Sequence, residues 1–275
     1  MNTLPTKVSE RLAAGIKRFQ PIVAERLKSD VNEADTCTIV MRMLCDVFGY
    51  DEFSEITAEL DIHGAHCDRA IKLDGKVVLL IEVKAIGKPL KDPQVRQATD
   101  YAAKHGSNWV VLTNGAHWRI YKMLWERPVG FELVFEFNFC ELNAKQMADI
   151  ELLSLLAKES WHKNKLDVFE TKRQILSKFS LAAVILSEPV LDVIRRELKK
   201  LSPNSLPGVK IENSHISEVL ELDVLKRELL EGEEADAARR KVKRQLPHAN
   251  KPEKRQDGGA NCSNSDELPE ANRTT

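Results

Sequence analysis

The sequence predicts an α/β fold: a mixed β-sheet flanked by helices and followed by a helical C-terminal region. Three observations carry that prediction. The run Val77-Val78-Leu79-Leu80-Ile81 is apolar without alternation, as a central strand covered on both faces should be. Phe131, Leu133, Phe135, Phe137 and Phe139 are apolar at period two against Glu132, Glu136 and Asn138, the pattern of a strand with one packed face and one facing water. From Leu142 to about Gln245 the apolar residues recur at helical spacing instead.

Taken in order, residues 1–30 form a helical lead-in, amphipathic over 8–29 and expected to be interrupted at Pro21. A second helix starts at Asn32, a good N-cap, and runs to Phe48, where Gly49 stops it. Ile39, Val40, Met43, Leu44, Val47 and Phe48 form its apolar stripe, and Glu33 lies on that stripe seven residues before Val40. A carboxylate there either reaches toward a site or is a half-exposed first-turn residue favoured by the helix dipole. Residues 55–62 read as a strand with Glu59 near its end. A hairpin follows, with Asp68 on its first strand, the turn signal Asp74-Gly75, and Glu82-Val83-Lys84 closing the second strand.

The third helix is expected to begin with Asp92 as N-cap and Pro93 in the first turn, and to end at Gly106. Gln94, Gln97, Tyr101 and His105 share one of its faces. Either Gln97 and Tyr101 face the sheet, or they are solvated while Ala98 and Ala102 face the core. A strand over 109–113, the turn Asn114-Gly115 and a return strand over 118–124 come next, and Pro128-Val129-Gly130 turns into the alternating strand. The α/β domain therefore spans 31–140.

A helical appendage is expected over 141–245, with apolar runs at 150–156, 175–185 and 190–198, punctuated by Ser202-Pro203-Asn204 and Leu206-Pro207-Gly208. A last helix runs from Ile216 through Leu230 and passes through Glu231-Gly232-Glu233-Glu234 into the basic run 239–244. Packing or homodimerisation is the simplest role for this half, and a solvated helix face the simplest reading of the basic run, with phosphate contact as the other. Residues 246–275 carry few apolar groups and are expected to be disordered from Pro247 onward.

Composition narrows the function classes. A formal net charge of -1 excludes a bulk polycation. Five cysteines (Cys37, Cys45, Cys67, Cys140 and Cys262), scattered and without a C-x-x-C pair, indicate neither a disulfide framework nor a structural zinc site and fit a reducing cytoplasm. Nothing at the N-terminus resembles a signal peptide, and no apolar run approaches the roughly 20 residues of a membrane span. Asp61, His63, His66 and Cys67 cluster, but no second ligand pair at zinc spacing follows. Neither a G-x-x-x-x-G-K-[ST] loop nor a G-x-S-x-G elbow occurs.

The chemistry-bearing residues are Asp68, Glu82 and Lys84. Side chains alternate along a strand, so Glu82 and Lys84 point to one face and Val83 to the other. Carboxylates at the end of a buried strand are costly unless paired or bound to an ion, and a divalent cation would satisfy both Asp68 and Glu82. Register decides whether they can meet. A two-residue loop without a bulge would set Asp68 opposite Ile81 and throw Glu82 onto the other face, so a shared site requires a three-residue loop or a one-residue bulge.

In this order, Glu33, Asp68, Glu82-Val83-Lys84, Gln97-Ala98-Thr99-Asp100-Tyr101, Val110-Val111-Leu112-Thr113-Asn114-Gly115 and Trp118-Arg119-Ile120-Tyr121 resemble the PD-(D/E)xK nuclease superfamily. Within it they resemble the nuclease domain at the N-terminus of type I restriction enzyme motor subunits. The resemblance covers roughly Asn32 to Met123, and Cys67 stands where the motif name has proline. It implies a restriction-endonuclease-like fold and a metal-dependent endonuclease of a restriction or defence system, with DNA as the expected substrate. Asp68, Glu82 and the Val83 carbonyl would hold Mg²⁺ or Mn²⁺. Lys84 would orient or deprotonate the attacking water, with Gln97, Tyr101 and Glu33 as further site residues. Lys88, Lys91 and Arg96 are candidate nucleic-acid contacts, surface lysines and arginine by default. No ATP-driven translocase is expected in a sequence without its phosphate loop. The alternative is a nucleic-acid-binding or adaptor module that keeps the fold without cutting.

Overall fold

Six strands form one sheet in sequential order: β1 (Ile56–Ile62), β2 (Ala65–Leu73), β3 (Lys76–Val83), β4 (Trp109–Thr113), β5 (His117–Leu124) and β6 (Gly130–Asn138). The computed structural model describes residues 4–29, 31–62, 65–126, 128–201 and 210–246, and leaves out the side chains of 59–62, 65, 66, 92, 97, 101 and 105. The expected disordered tail and the Pro-containing breaks at 202–208 lie outside the described residues. All neighbouring strands are antiparallel except β3 and β4, which are parallel and joined through α3 (Asp92–His105).

Helices cover both faces of the sheet. On one face α3 sets Val95, Ala98 and Ala102 against Leu80, Val110 and Leu112. On the other, α1 (Thr6–Lys28) and α2 (Glu33–Asp46) share a core with Leu79, Ile81, Val83, Val111, Trp118 and Ile120. That is why β3 and β4 read as unbroken apolar runs. Trp118 anchors the larger core between Phe48 and Phe137, with ring centroids at 5.4 and 6.0 Å, and its indole N–H donates to the Gly115 carbonyl.

Two compact units divide the chain, Met1–Arg173 and Gln174–Thr275. In the first, α4 (Met147–Ser154), α5 (Lys158–Trp161) and most of α6 (Lys165–Ile175) follow the sheet, and α4 packs on α1. Arg11 of α1 donates to the Val47 and Phe48 carbonyls at the end of α2 and forms a two-pronged pair with Glu159. Gly49, at φ +84°, closes α2 in the left-handed conformation, and a Cβ there would lie 2.6 Å from the Arg11 guanidinium carbon. In the second unit α7 (Lys178–Ile185) packs on α10 (Glu233–Gln245) and α8 (Glu188–Lys199) on α9 (Asn213–Val219). Its buried residues are mostly small, among them Ala182, Ala183, Ala235 and Ala238, while Leu201, Leu222 and Val224 remain exposed. No helix among the described residues is long and apolar enough to cross a membrane.

Four expectations are corrected. Pro21 does not interrupt α1: the stripe Val8, Leu12, Ile16, Phe19 and Val23 is buried on both sides of it, and Pro21 and Lys17, four residues before it, are exposed where water can serve the freed Lys17 carbonyl. The N-cap of α3 is Lys91, with Asp92 the first helical residue, and the Gln94 side chain accepts the Lys91 N–H at 2.8 Å. The period-two pattern of β6 is broken by a bulge at Val134, since Ile120 pairs with Phe135 and Tyr121 with Leu133. Val134 is therefore buried and Leu133 exposed, and Phe131 serves the α3 face while Phe135 and Phe137 serve the other. The segment from Ile216 to Leu230 is not one helix: α9 stops at Val219, a π-turn and a 3-10 turn follow, and Gly232 at φ +97° separates them from α10.

Candidate active site

The β2–β3 turn has two loop residues, both left-handed, Asp74 at φ 51° and Gly75 at φ 76°. Lys72 pairs with Val77 and Leu73 with Lys76, but past a bulge the register becomes Ile71 with Leu79, Ala70 with Leu80 and Arg69 with Ile81. Val78 is the additional residue. That register holds as far as Arg69 and Ile81, and beyond it Asp68 is tied to β3 by its side chain, which accepts the Val83 N–H. The bulge is one of the two devices the sequence required.

At this strand end four charged groups converge. Lys84 Nζ donates to Glu82 Oε1 at 2.6 Å and stands 3.6 Å from Glu33 Oε1, which the first turn of α2 presents. The backbone N–H of Val83 donates to Asp68 Oδ2 at 2.7 Å. Glu82 is 1% exposed and its Oε2 is buried without a hydrogen-bond partner. Glu33 is 48% exposed at its side chain, so it is both the half-exposed first-turn residue and a neighbour of the site lysine.

Burial pushes the Glu82 carboxyl up to about 7, the charges of Asp68 and Glu33 adding to it and the bond from Lys84 opposing it. Burial likewise raises Asp68, offset in part by the Val83 N–H and the Lys84 charge. For Lys84 burial alone would lower the pKa, but the bond to Glu82 and the charges of Glu82, Glu33 and Asp68 together raise it. The amine is thus held as an ammonium in this arrangement.

The donors facing this point are oxygens, the chemistry that suits Mg²⁺ or Mn²⁺ over zinc. The orphaned Glu82 Oε2 is the atom that fits a cation best. No group of three His, Cys, Asp or Glu side chains gathers for a metal among the described residues, so any ion here relies on backbone oxygen and water besides Asp68 and Glu82. Cys67 is not a ligand in waiting. Its thiol is buried, donates to the Arg69 and Ile81 carbonyls, and is pushed up to about 12, chiefly by burial. The side chains of Asp61 and His66, like residue His63, lie outside the description.

The helix carrying Gln97 and Tyr101 packs over this face through Val95, Ala98 and Ala102, but the two side chains themselves lie outside the described residues. Lys88, Lys91 and Arg96 are exposed. Sequence reasoning missed Thr36 and Asn114, both buried and both bonded to the segment that follows Lys84. Thr36 was detectable only as a polar residue one helical turn before Val40, and Asn114 was read as a turn former.

Comparison with known families places this segment. No curated protein and no solved structure matches the chain. A family model does, over residues 38–134, just over a third of the chain, from within α2 to the bulge of β6. The segment that carries Asp68, Glu82 and Lys84 matches the type I restriction enzyme R protein N terminus, the resemblance that the order of its motifs predicted.

Proposed function

We propose that this protein is a metal-dependent endonuclease of a restriction or defence system that hydrolyses phosphodiester bonds, with DNA as substrate. The observation that carries the reading is the buried, half-unpartnered Glu82 near the charge of Asp68 at the end of a bulged hairpin, with Lys84 beside it, inside a segment that matches the restriction-enzyme family. Mg²⁺ or Mn²⁺, held by Asp68, Glu82 and the Val83 carbonyl, would polarise the phosphate and lower the pKa of a bound water. Lys84, kept protonated by its carboxylate neighbours, orients that water and offsets negative charge developing on the phosphate. Val83 fixes Asp68 by its N–H, so one carboxylate oxygen is committed to the backbone. Gln97 and Tyr101 act as positioning groups, and Lys88, Lys91 and Arg96 meet the nucleic-acid backbone.

The test is cleavage of plasmid DNA, modified DNA and RNA in Mg²⁺, Mn²⁺ or EDTA, with Lys84→Ala alongside. Cutting that needs the cation and disappears in Lys84→Ala is the expected result. Equal cutting by both proteins removes the site from the chemistry. Binding without cutting on every substrate favours the adaptor reading.

A further inference from the structure

We infer that Thr36 and Asn114 are positioning residues that set Lys84 by gripping the backbone of Ile86 at its N–H and at its carbonyl. The inference rests on the nuclease reading for its catalytic consequence and on hydrogen bonds alone for its geometry. Thr36, 0% exposed, accepts the Ile86 N–H at 3.1 Å and donates its hydroxyl to the Asn32 carbonyl at 2.8 Å. Asn114, 2% exposed, donates its amide to the Ile86 and Lys88 carbonyls at 3.2 and 2.9 Å. Its oxygen accepts the N–H groups of Ala116 and His117 at 3.1 and 2.7 Å, so both donors and both acceptor positions of the side chain are used. The Ile86 side chain is itself buried in the larger core.

Ile86 follows Lys84 by two residues, just after the sheet pairing of β3 ends at Val83. Beyond that point the Lys84 N–H still reaches the Thr113 carbonyl at 2.8 Å, and the next ties are those of Thr36 and Asn114. Thr36 sits one turn after Glu33, so the bond from the Ile86 N–H to its hydroxyl joins the turn that presents Glu33 to the strand end that presents Lys84. Asn114 joins the same point to the β4–β5 turn. Neither residue reaches the carboxylates, so each acts through Lys84 and the segment after it. A hydroxyl that holds a backbone this close to the reacting groups governs alignment, and misplacement by about 1 Å costs on the order of 100-fold in rate.

The experiment compares Thr36→Val, which keeps the shape and removes the hydroxyl, with Thr36→Ser, which keeps the hydroxyl. Asn114→Ala is the second site. In the full-length chain, kcat on plasmid DNA in Mg²⁺ should fall about 10- to 100-fold in Thr36→Val while KM stays within about twofold, and Thr36→Ser should recover most of kcat. Amide hydrogen exchange, free of metal and substrate, should quicken at Ile86 and Lys84 in Thr36→Val and Asn114→Ala, while the amides of β4 and β5 away from the turn keep their protection. Wild-type exchange in Thr36→Val, or equal loss in the valine and serine variants, overturns the inference. Unchanged cutting by Lys84→Ala sinks the nuclease reading instead, and the exchange comparison then still decides whether the grip exists.

Discussion

Replacing Glu82 by glutamine should flatten the pH dependence of stability in the metal-free protein. The Glu82 carboxyl is raised from 4.5 to about 7, foremost by burial. A folded pKa above the unfolded one means that the native state binds the proton more tightly, so stability falls as pH rises through the window from about 4.5 to about 7. At about 1.4 kcal/mol for each tenfold change in proton affinity, Glu82 alone contributes a loss of up to about 3 kcal/mol across that window. The glutamine of the variant cannot titrate, although its amide keeps an oxygen for Lys84. The difference in unfolding free energy between wild type and Glu82→Gln should therefore shift in favour of the variant by about 3 kcal/mol between about pH 4.5 and 7.5. Asp68 is raised in the same direction and is present in both proteins, so only the part of its titration coupled to Glu82 enters the difference. Urea titrations in EDTA followed by tryptophan fluorescence suit the measurement, because Trp109, Trp118, Trp125 and Trp161 all lie in the first unit. A difference constant within about 0.5 kcal/mol over the window would show that Glu82 titrates as an ordinary surface carboxylate, and the site electrostatics derived above would be wrong.

Two further outcomes follow from the same geometry. Asp68→Asn keeps an oxygen for the Val83 N–H but loses the charge, so calorimetric Mn²⁺ affinity should fall by more than about 10-fold with little change in fold, and unchanged affinity would remove Asp68 from the ligand set. Trp118→Ala removes an indole that is 1% exposed and packed between Phe48 and Phe137, and should cost about 3–5 kcal/mol of unfolding free energy in urea, while a cost under about 1 kcal/mol would mean the larger core is not built around it.

Much of this was legible because it rests on periodicity. Glu82 and Lys84 share a face by alternation, the unbroken run before them announces a strand covered on both sides, and the need for a bulge followed from counting residues back from Asp74-Gly75. Which residue bulged was not legible, since Val77, Val78 and Leu79 are interchangeable to any pattern of polarity. The bulge at Val134 escaped for the same reason, hidden inside a run of alternating aromatics that reads correctly on either side of it. Pro21 misled because a helix exposed at that turn loses one hydrogen bond to water without losing its buried stripe. Thr36, Asn114 and Arg11 left no periodic trace. Each works by bonding a side chain to backbone more than 25 residues away, and such contacts exist only once the tertiary fold has formed.

Val83 shows how the apolar core and the charged cluster depend on one another. Its side chain is fully buried with Ile81 and Ile86 in the core under α1 and α2, while its N–H holds the Asp68 carboxylate. An unpartnered buried carboxylate oxygen at Glu82 costs on the order of 1–3 kcal/mol, and leaving either carboxylate free to swing would let it relax toward water instead. Burial of Ile81, Val83 and Ile86 contributes about 1.5–3 kcal/mol each, more than enough to offset that penalty. Because these three side chains flank Glu82 and Lys84 along the chain, the energy that stabilises the core also fixes the backbone from which the charged groups project. Glu82 Oε2 is thereby kept in place without a hydrogen-bond partner, which is what the proposed cation site would require.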